Sequence, residues 1–217
     1  MNMNKYDIII WDFNGTIIDD LELCREIINR MLQQYQLPLL SKAKYRNIFR
    51  FPIEQYYNKT GVTAFASFAF LAKRFNEEYA AGVKKLNCFP DVKEAIITLY
   101  QNNIKQLVLS ASRKDDLVKQ MTELGLKDYF SDLLGISDIL ASGKEELALK
   151  WLHDNNAVNK RILVIGDTEH DFEIAQLLAA DCLLIARGHV SEKRLIKTGA
   201  TVVKDLKNFV ADITASN

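Results

Sequence analysis

Three short stretches, each following an apolar run, hold the side chains of this 217-residue chain best able to do chemistry. Asp12-Phe13-Asn14-Gly15-Thr16 follows Tyr6–Trp11, Ser110-Ala111-Ser112 follows Lys105–Leu109, and Gly166-Asp167-Thr168-Glu169-His170-Asp171 follows Arg161–Ile165, with Lys144 ahead of the last. Taken singly each has a plain reading: an Asp after a strand commonly caps a turn or helix, and a lysine is commonly solvated. Together they form a set suited to an anion. A carboxylate nucleophile divides one difficult displacement into two easier ones. A divalent cation on carboxylate oxygens neutralises the repulsion between that nucleophile and a phosphate.

The elements needed to gather these groups follow from the periodicity. Tyr6–Trp11 is short and nearly all apolar, the pattern of a strand buried on both faces of a parallel sheet. Leu21, Cys24, Ile27, Ile28, Met31, Leu32 and Tyr35 then recur at helical spacing, with further helices expected near 41–50, 53–59 and 64–81 and no convincing strand before residue 85. From Pro90 onward helix and strand alternate: strands at 105–109, 133–136, 161–165, 182–185 and 201–203, helices at 92–101, 115–124, 145–154, 172–178 and 192–197, and a last helix near Leu206–Asp212. Such alternation implies right-handed crossovers and an α/β, doubly wound parallel sheet interrupted by an α-helical insertion. The expected division is a core of residues 1–17 and 87–217 and a helical module of 18–86. In such folds ligands bind beyond the carboxyl ends of the strands, where all three stretches fall.

Composition excludes several classes. Lys+Arg 28 balances Asp+Glu 28, so no global field draws the chain to nucleic acid or an anionic membrane, and 48% hydrophobic residues suffice for a sizeable core. Cys24, Cys88 and Cys182 lack Cys-x-x-Cys spacing and read as buried thiols in a reducing compartment. No signal peptide is visible, and the longest apolar stretch, 62–72, is short of the ~18 residues a membrane span needs. A soluble cytoplasmic protein is expected; oligomeric state cannot be read.

In order along nearly the whole chain, these stretches resemble the four motifs of the haloacid dehalogenase superfamily, whose helical cap lies between the first and second. Trp11-Asp12-Phe13-Asn14-Gly15-Thr16, Phe89-Pro90-Asp91-Val92 and Gly166-Asp167-Thr168-Glu169-His170-Asp171 resemble its phosphoglycolate-phosphatase-like branch. The resemblance implies hydrolysis of a small phosphorylated metabolite, with Asp12 as the nucleophile that becomes an aspartyl-phosphate. It implies Mg²⁺ held by Asp12, the Asn14 carbonyl and Asp167, with Asp171 binding directly or orienting a bound water. Ser110 would hydrogen-bond a phosphoryl oxygen beside Ala111, Lys144 would stabilise the transferring charge, and backbone amides around Gly15 and Thr16 would add donors.

One position departs from the pattern. Phosphatases of this superfamily usually carry, two residues after the nucleophile, an Asp that protonates the leaving oxygen and later activates water; here it is Asn14. An amide cannot transfer a proton at neutral pH. The expectation is impaired acid–base catalysis with metal binding kept, and the alternative is a catalytically weak phospho-ligand-binding or regulatory protein. Arg46 and Arg50 are candidate clamps for a second anionic group, or else part of a solvated helix face. Ser112 with Asp115 reads as a capping pair, Asp19 and Asp20 as the start of the first inserted helix, and His170 as a surface or supporting group. His153 and His189 have no partner recognisable from sequence.

Overall fold

A computed structural model describes residues 6–136 and 143–209. Six strands, β1 (Ile8–Trp11), β2 (Lys105–Arg113), β3 (Asp132–Ile136), β4 (Ile162–Gly166), β5 (Asp181–Ile185) and β6 (Thr201–Val203), form one sheet in the order β3-β2-β1-β4-β5-β6. Every pairing is parallel. The helices between them are α1 (Leu21–Gln34), α2 (Lys42–Ile48), α3 (Ile53–Thr60), α4 (Phe68–Gly82), α5 (Pro90–Gln101), α6 (Lys114–Glu123), α7 (Lys144–Asp154), α8 (Glu169–Leu177) and α9 (Glu192–Ile196). Four of them, α1–α4, come between β1 and α5, as the helical run from Leu21 requires.

Alternation along each strand divides the core in two. Ile8 and Ile10, Leu107 and Leu109, and Ile162 and Val164 pack with α1, α7 and α8 through Ile27, Trp151 and Ile174. Ile9 and Trp11, Val108, and Leu163 and Ile165 face the other way, onto Val92, Ile96 and Leu99 of α5 and Leu117 and Met121 of α6. A strand covered on both faces has no polar side to show, which is why the strands read as unbroken apolar runs. The chain reverses its winding between β1 and β4, and in sheets of this kind ligands bind at that reversal, outside the carboxyl ends of the strands.

The structure corrects three expectations. The helix expected over 64–81 is broken: Val62–Ala64 is a single 3₁₀ turn, and α4 begins at Phe68 because the Ser67 hydroxyl caps it by accepting from the Phe70 amide at 3.3 Å. β2 does not end at Leu109 but runs to Arg113, with its register against β3 shifted between Leu109 and Arg113. Within that irregular stretch the Ser110 hydroxyl accepts from the Ser112 amide at 3.1 Å. All three cysteines are free thiols, as expected, but Cys88 is only half-buried. Part of the last expected helix, near Leu206–Asp212, lies outside the described residues.

The segments that lead into and out of the helical insertion run side by side. The Phe89 amide donates to the Ile17 carbonyl at 3.0 Å and the Asp19 amide to the Asn87 carbonyl at 3.2 Å. Among the described residues no helix is long and apolar enough to cross a membrane.

If two buried faces hold the sheet, shortening a side chain inside it is expensive. Leu163→Ala, in β4 at 0% exposure, is expected to cost about 2–5 kcal/mol, read as a lower urea midpoint with unchanged slope. Leu149→Ala on the exposed side of α7 serves as the comparison, and equal midpoints for both would contradict this placement of the core.

Candidate active site

Asp12 follows β1, where its amide donates to the Ile165 carbonyl of β4 at 2.8 Å and the residue is 7% exposed. The chain then turns back tightly. The Phe13 carbonyl accepts from the amides of Ile17 at 2.9 Å and Ile18 at 3.0 Å, and Gly15 adopts φ +74. Glycine is required there twice over, for that angle and for space, because a Cβ would meet His189 Cδ2 at 2.5 Å and Asp167 Oδ2 at 2.6 Å. The amides of Gly15 and Thr16, expected to face a phosphate, donate within the turn to the carbonyls of Ile18 and Phe13 at 3.1 and 3.4 Å. The Thr16 hydroxyl donates to Asp167 Oδ1 at 3.2 Å, so both residues brace the site from inside the turn.

Asp167 follows β4 and is fully buried, held by the His189 amide as well as by Thr16. Asp171 sits one turn into α8. Its Oδ2 accepts from the Thr168 amide at 3.0 Å and the Thr168 hydroxyl at 2.7 Å, a reciprocal cap that fixes the helix start. Its Oδ1 accepts from Lys144 Nζ at 3.2 Å. Lys144 is the first residue of α7, 4% exposed, and also donates to Asp12 Oδ1. Ser110 is fully buried, with its hydroxyl 3.5 Å from Asn14 Oδ1, and the neighbouring Ala111 is exposed.

Carboxylate oxygens of Asp12, Asp167 and Asp171 lie within 4.8 Å of one another. The Lys144 ammonium faces two of these buried carboxylates, Asp12 and Asp171, while Asp167 lies beside His189. Burial pushes Asp12 up to about 6 against the pull of Lys144, with Asp171 adding to the rise. Burial likewise pushes Asp167 up to about 8, opposed by His189 and reinforced by the charges on Asp12 and Asp171. Burial also opposes ionisation of Asp171, but Lys144 and the Thr168 hydroxyl hold its carboxyl below the usual range. The Lys144 ammonium is stabilised above its ordinary range despite burial, because Asp12 and Asp171 both face it. Three carboxylates so placed fit a hard, oxygen-seeking divalent cation such as Mg²⁺.

Asn14 is held from every side. Its Nδ2 donates to Asp20 Oδ2 at 2.8 Å and to the Tyr79 hydroxyl at 2.8 Å, and its Oδ1 accepts from the Ser112 hydroxyl at 3.0 Å. Ser112 therefore does not cap α6 as expected. The cap position is Arg113, with no side-chain cap bond, because the bulged end of β2 turns Ser112 toward Asn14. Asp20 stands at the start of α1 as expected, yet its carboxylate makes no cap bond. It faces inward, accepting from Asn14, from the Tyr79 hydroxyl at 2.9 Å and from His189 Nε2 at 3.0 Å.

His189 is the residue sequence reasoning missed. It lies four positions after β5, so the rule that led to Asp12 and Asp167, that strand ends carry the site, also points to it when applied to the fifth strand. Its ring bridges Asp20 and the Tyr45 hydroxyl, 2.9 Å from Nδ1, and Asp20 holds the ring protonated up to about 9 even though burial works against the charge. Gly188 precedes it because a Cβ there would collide with Asp167 Oδ2. His170 is largely shielded, its ring 5.0 Å from that of Phe51 and its Nδ1 3.2 Å from Glu173 Oε2.

The two candidate clamps part company. The Arg46 guanidinium donates to the carbonyls of Ala186 and Val190, both at 2.8 Å, and so ties α2 to the loop after β5 instead of standing free for an anion. Arg50 is half-buried, and its Nε is shielded with no hydrogen-bond partner among the described residues.

The sequence profile of the haloacid dehalogenase-like hydrolases matches residues 9–185. A phosphoglycolate phosphatase from Yersinia pestis is 23% identical over 188 residues, 83% of this chain and 81% of that protein. A pyrophosphatase from Listeria innocua is 23% identical over 182 residues, 78% of each chain. Among solved structures, a haloacid dehalogenase-like hydrolase from Streptococcus pneumoniae superposes with a TM-score of 0.81 at 16% identity, over 96% of this chain and 99% of that one.

The raised carboxylates make a prediction about pH. A folded chain in which Asp167 is raised keeps a proton that the unfolded chain releases near about 4. Its contribution to stability is therefore complete below that pH and is lost as pH rises through about 8. Metal-free protein is expected to lose melting temperature across this window, Mg²⁺ to restore it at the alkaline end, and Asp167→Asn to flatten the pH slope and abolish the Mg²⁺ effect. A melting temperature indifferent to Mg²⁺ at pH 8 in the unaltered protein would count against the site.

Proposed function

The chain belongs to the haloacid dehalogenase-like hydrolases, and we propose that it is a Mg²⁺-dependent phosphatase of small phosphorylated metabolites that favours activated phosphates. The observation behind this reading is the buried set of Asp12, Asp167, Asp171 and Lys144 at the carboxyl ends of the central strands. In this reading residues 18–86 act as a cap over a core of 1–17 and 87–217.

Asp12 attacks phosphorus through the carboxylate oxygen not engaged by Lys144, the bond from phosphorus to the leaving oxygen breaks, and an aspartyl-phosphate remains. Water then attacks that phosphorus and frees Asp12. Mg²⁺ held by the carboxylates of Asp12 and Asp167 and the carbonyl of Asn14, with Asp171 close by, would supply neutralisation of charge between nucleophile and phosphoryl group. Lys144 shares that task, already placed against the nucleophile. The Ser110 hydroxyl donates to a phosphoryl oxygen, and the inserted helices exclude water while the phosphoryl group is in transit.

Asn14 sets the substrate preference. Both of its amide hydrogens are already directed at Asp20 and Tyr79, so it has neither an acidic proton nor a free donor for the leaving oxygen. An acyl phosphate or a phosphoanhydride expels an anion that is stable without protonation; an alkyl phosphate expels an alkoxide that is not. The likeness to a pyrophosphatase supports that side of the preference, and the likeness to phosphoglycolate phosphatases supports the small-metabolite class.

Turnover of acetyl phosphate and phosphoglycolate with Mg²⁺ tests the reading. The unaltered protein is expected to hydrolyse the first far faster. Asn14→Asp alone sets a second carboxylate against buried Asp20, so the gain on the alkyl substrate is expected in full only with Asp20→Asn beside it, on the order of 10²–10⁴-fold. Equally rapid turnover of both substrates by the unaltered protein would show another proton donor. No turnover of either, with tight binding of a phosphate ligand, would favour the binding-protein alternative that the locked Asn14 amide also suits.

The arginines give a second test. Arg50→Ala is expected to raise KM for doubly anionic substrates with kcat little changed. Arg46→Ala is expected to lower the melting temperature, through lost attachment of α2 to the loop after β5, and to leave the ranking of substrates as it was. A change of ranking in the Arg46 variant alone would reverse the assignment.

A further inference from the structure

Beside the oxygen-only site lies a second cluster of different chemistry. Asp20, the N-cap residue of α1, and Cys24 in its first turn are joined by the Cys24 amide donating to the Asp20 carbonyl at 3.0 Å, and His189 reaches them from the loop after β5. One carboxylate oxygen, the Cys24 sulfur and a His189 ring nitrogen lie within 4.8 Å of one another. Asp20 is 0% exposed, Cys24 6% and His189 3%. The proposed phosphoryl transfer gives no task to the sulfur of Cys24.

We propose that Asp20, Cys24 and His189 form a second metal site, selective for a borderline-soft cation of the Zn²⁺ type, that fastens the helical insertion to the sheet. Mixed carboxylate, thiolate and imidazole donors suit Zn²⁺ and Co²⁺ and do not suit Mg²⁺, which prefers the oxygens of Asp12 and Asp167. Groups that would hold the donors in place are already there. His189 Nδ1 is 2.9 Å from the Tyr45 hydroxyl, and Nε2, on the side of Asp20 and Cys24, is the ring nitrogen that faces the other two donors. Asp20 Oδ2 is anchored by Asn14 and Tyr79 and lies 3.6 Å from the Cys24 sulfur, and Oδ1 meets His189 Nε2 at 3.0 Å, so the ion would take the place of the hydrogen bond between those two atoms. Metal ligands are commonly oriented in this way by a second hydrogen bond.

Because Asp20 and Cys24 belong to α1 and His189 to the loop after β5, the bound ion joins the insertion to the sheet beside Asn14. Loading is therefore expected to slow turnover by holding the insertion down.

The test uses the full chain, stripped of metal and titrated with Co²⁺ in excess Mg²⁺, which keeps the oxygen site filled. The expected result is a thiolate-to-cobalt charge-transfer absorption that saturates at one ion per chain and is displaced by Zn²⁺. Cys24→Ser is expected to remove the absorption and weaken Co²⁺ binding by at least about tenfold, while Mg²⁺-supported hydrolysis stays at its basal level. Cys24→Ala gives the same reading should the serine variant fold poorly. Absence of the absorption at saturating Co²⁺ in the unaltered protein, or its persistence in both variants, would overturn the proposal. The readout is spectroscopic, so it stands or falls apart from the phosphatase reading.

Discussion

Three carboxylates closed into the protein, two of them on the Lys144 ammonium and the third beside His189, are the constraint that the rest of the structure serves. Asp12, Asp167 and Asp171 come from the ends of two adjacent strands and the first turn of a helix, and Lys144 from the start of another. Burial favours the protonated form of such a set, and it raises Asp12 against the pull of Lys144 and Asp167 against the pull of His189. Everything local keeps the carboxylates in place despite that cost: the Thr168 cap on Asp171, the Thr16 hydroxyl and the His189 amide on Asp167, and glycines at 15 and 188 where a side chain would enter the Asp167 carboxylate. The parallel sheet supplies the rigidity. With both faces covered, the positions of the strand ends are fixed by packing remote from the charges.

A second network crosses from the sheet to the insertion, and Asn14 is its junction. Asp20 is a buried carboxylate held ionised, below its ordinary range, by His189, Asn14 and Tyr79 against the cost of burial. An Asp in place of Asn14 would face it with like charge, so the two identities belong together. The amide at the acid–base position is thus part of a folded arrangement reaching from β2 through Ser112 to α4 through Tyr79. Arg194 reinforces the same junction from outside, donating to the carbonyls of Arg46 and Asn47 at 3.2 and 3.1 Å while pairing with Glu169.

How much of this was legible in the sequence depended on whether the signal was local. Strand and helix order came through because a strand buried on both faces must be continuously apolar, as Ile8–Trp11 is, and because α1 repeats its apolar residues at helical spacing. Asp12, Asp167 and Lys144 were found as neighbours because they end or begin elements of a fold whose strand ends converge. Ser112 reads as a cap because it sits where a helix begins, but the bulge in β2 turns it to Asn14; Asp20 does open α1 as its position implies, and what a local window hides is its bond to a histidine 169 positions away. Arg46 was illegible in the same way, since its acceptors are backbone carbonyls, which leave no trace in residue type.

The central claim is that Asp12 takes the phosphoryl group while Asn14 leaves its hydrolysis unassisted. The most direct measurement is mass spectrometry of protein acid-quenched during steady-state turnover of an activated phosphate with Mg²⁺. The account predicts a phosphorylated fraction large enough to detect, located at Asp12 and reduced in the Asn14→Asp, Asp20→Asn pair. Turnover with no phosphoryl group on the protein at any quench time, or with the group on a residue other than Asp12, would contradict it.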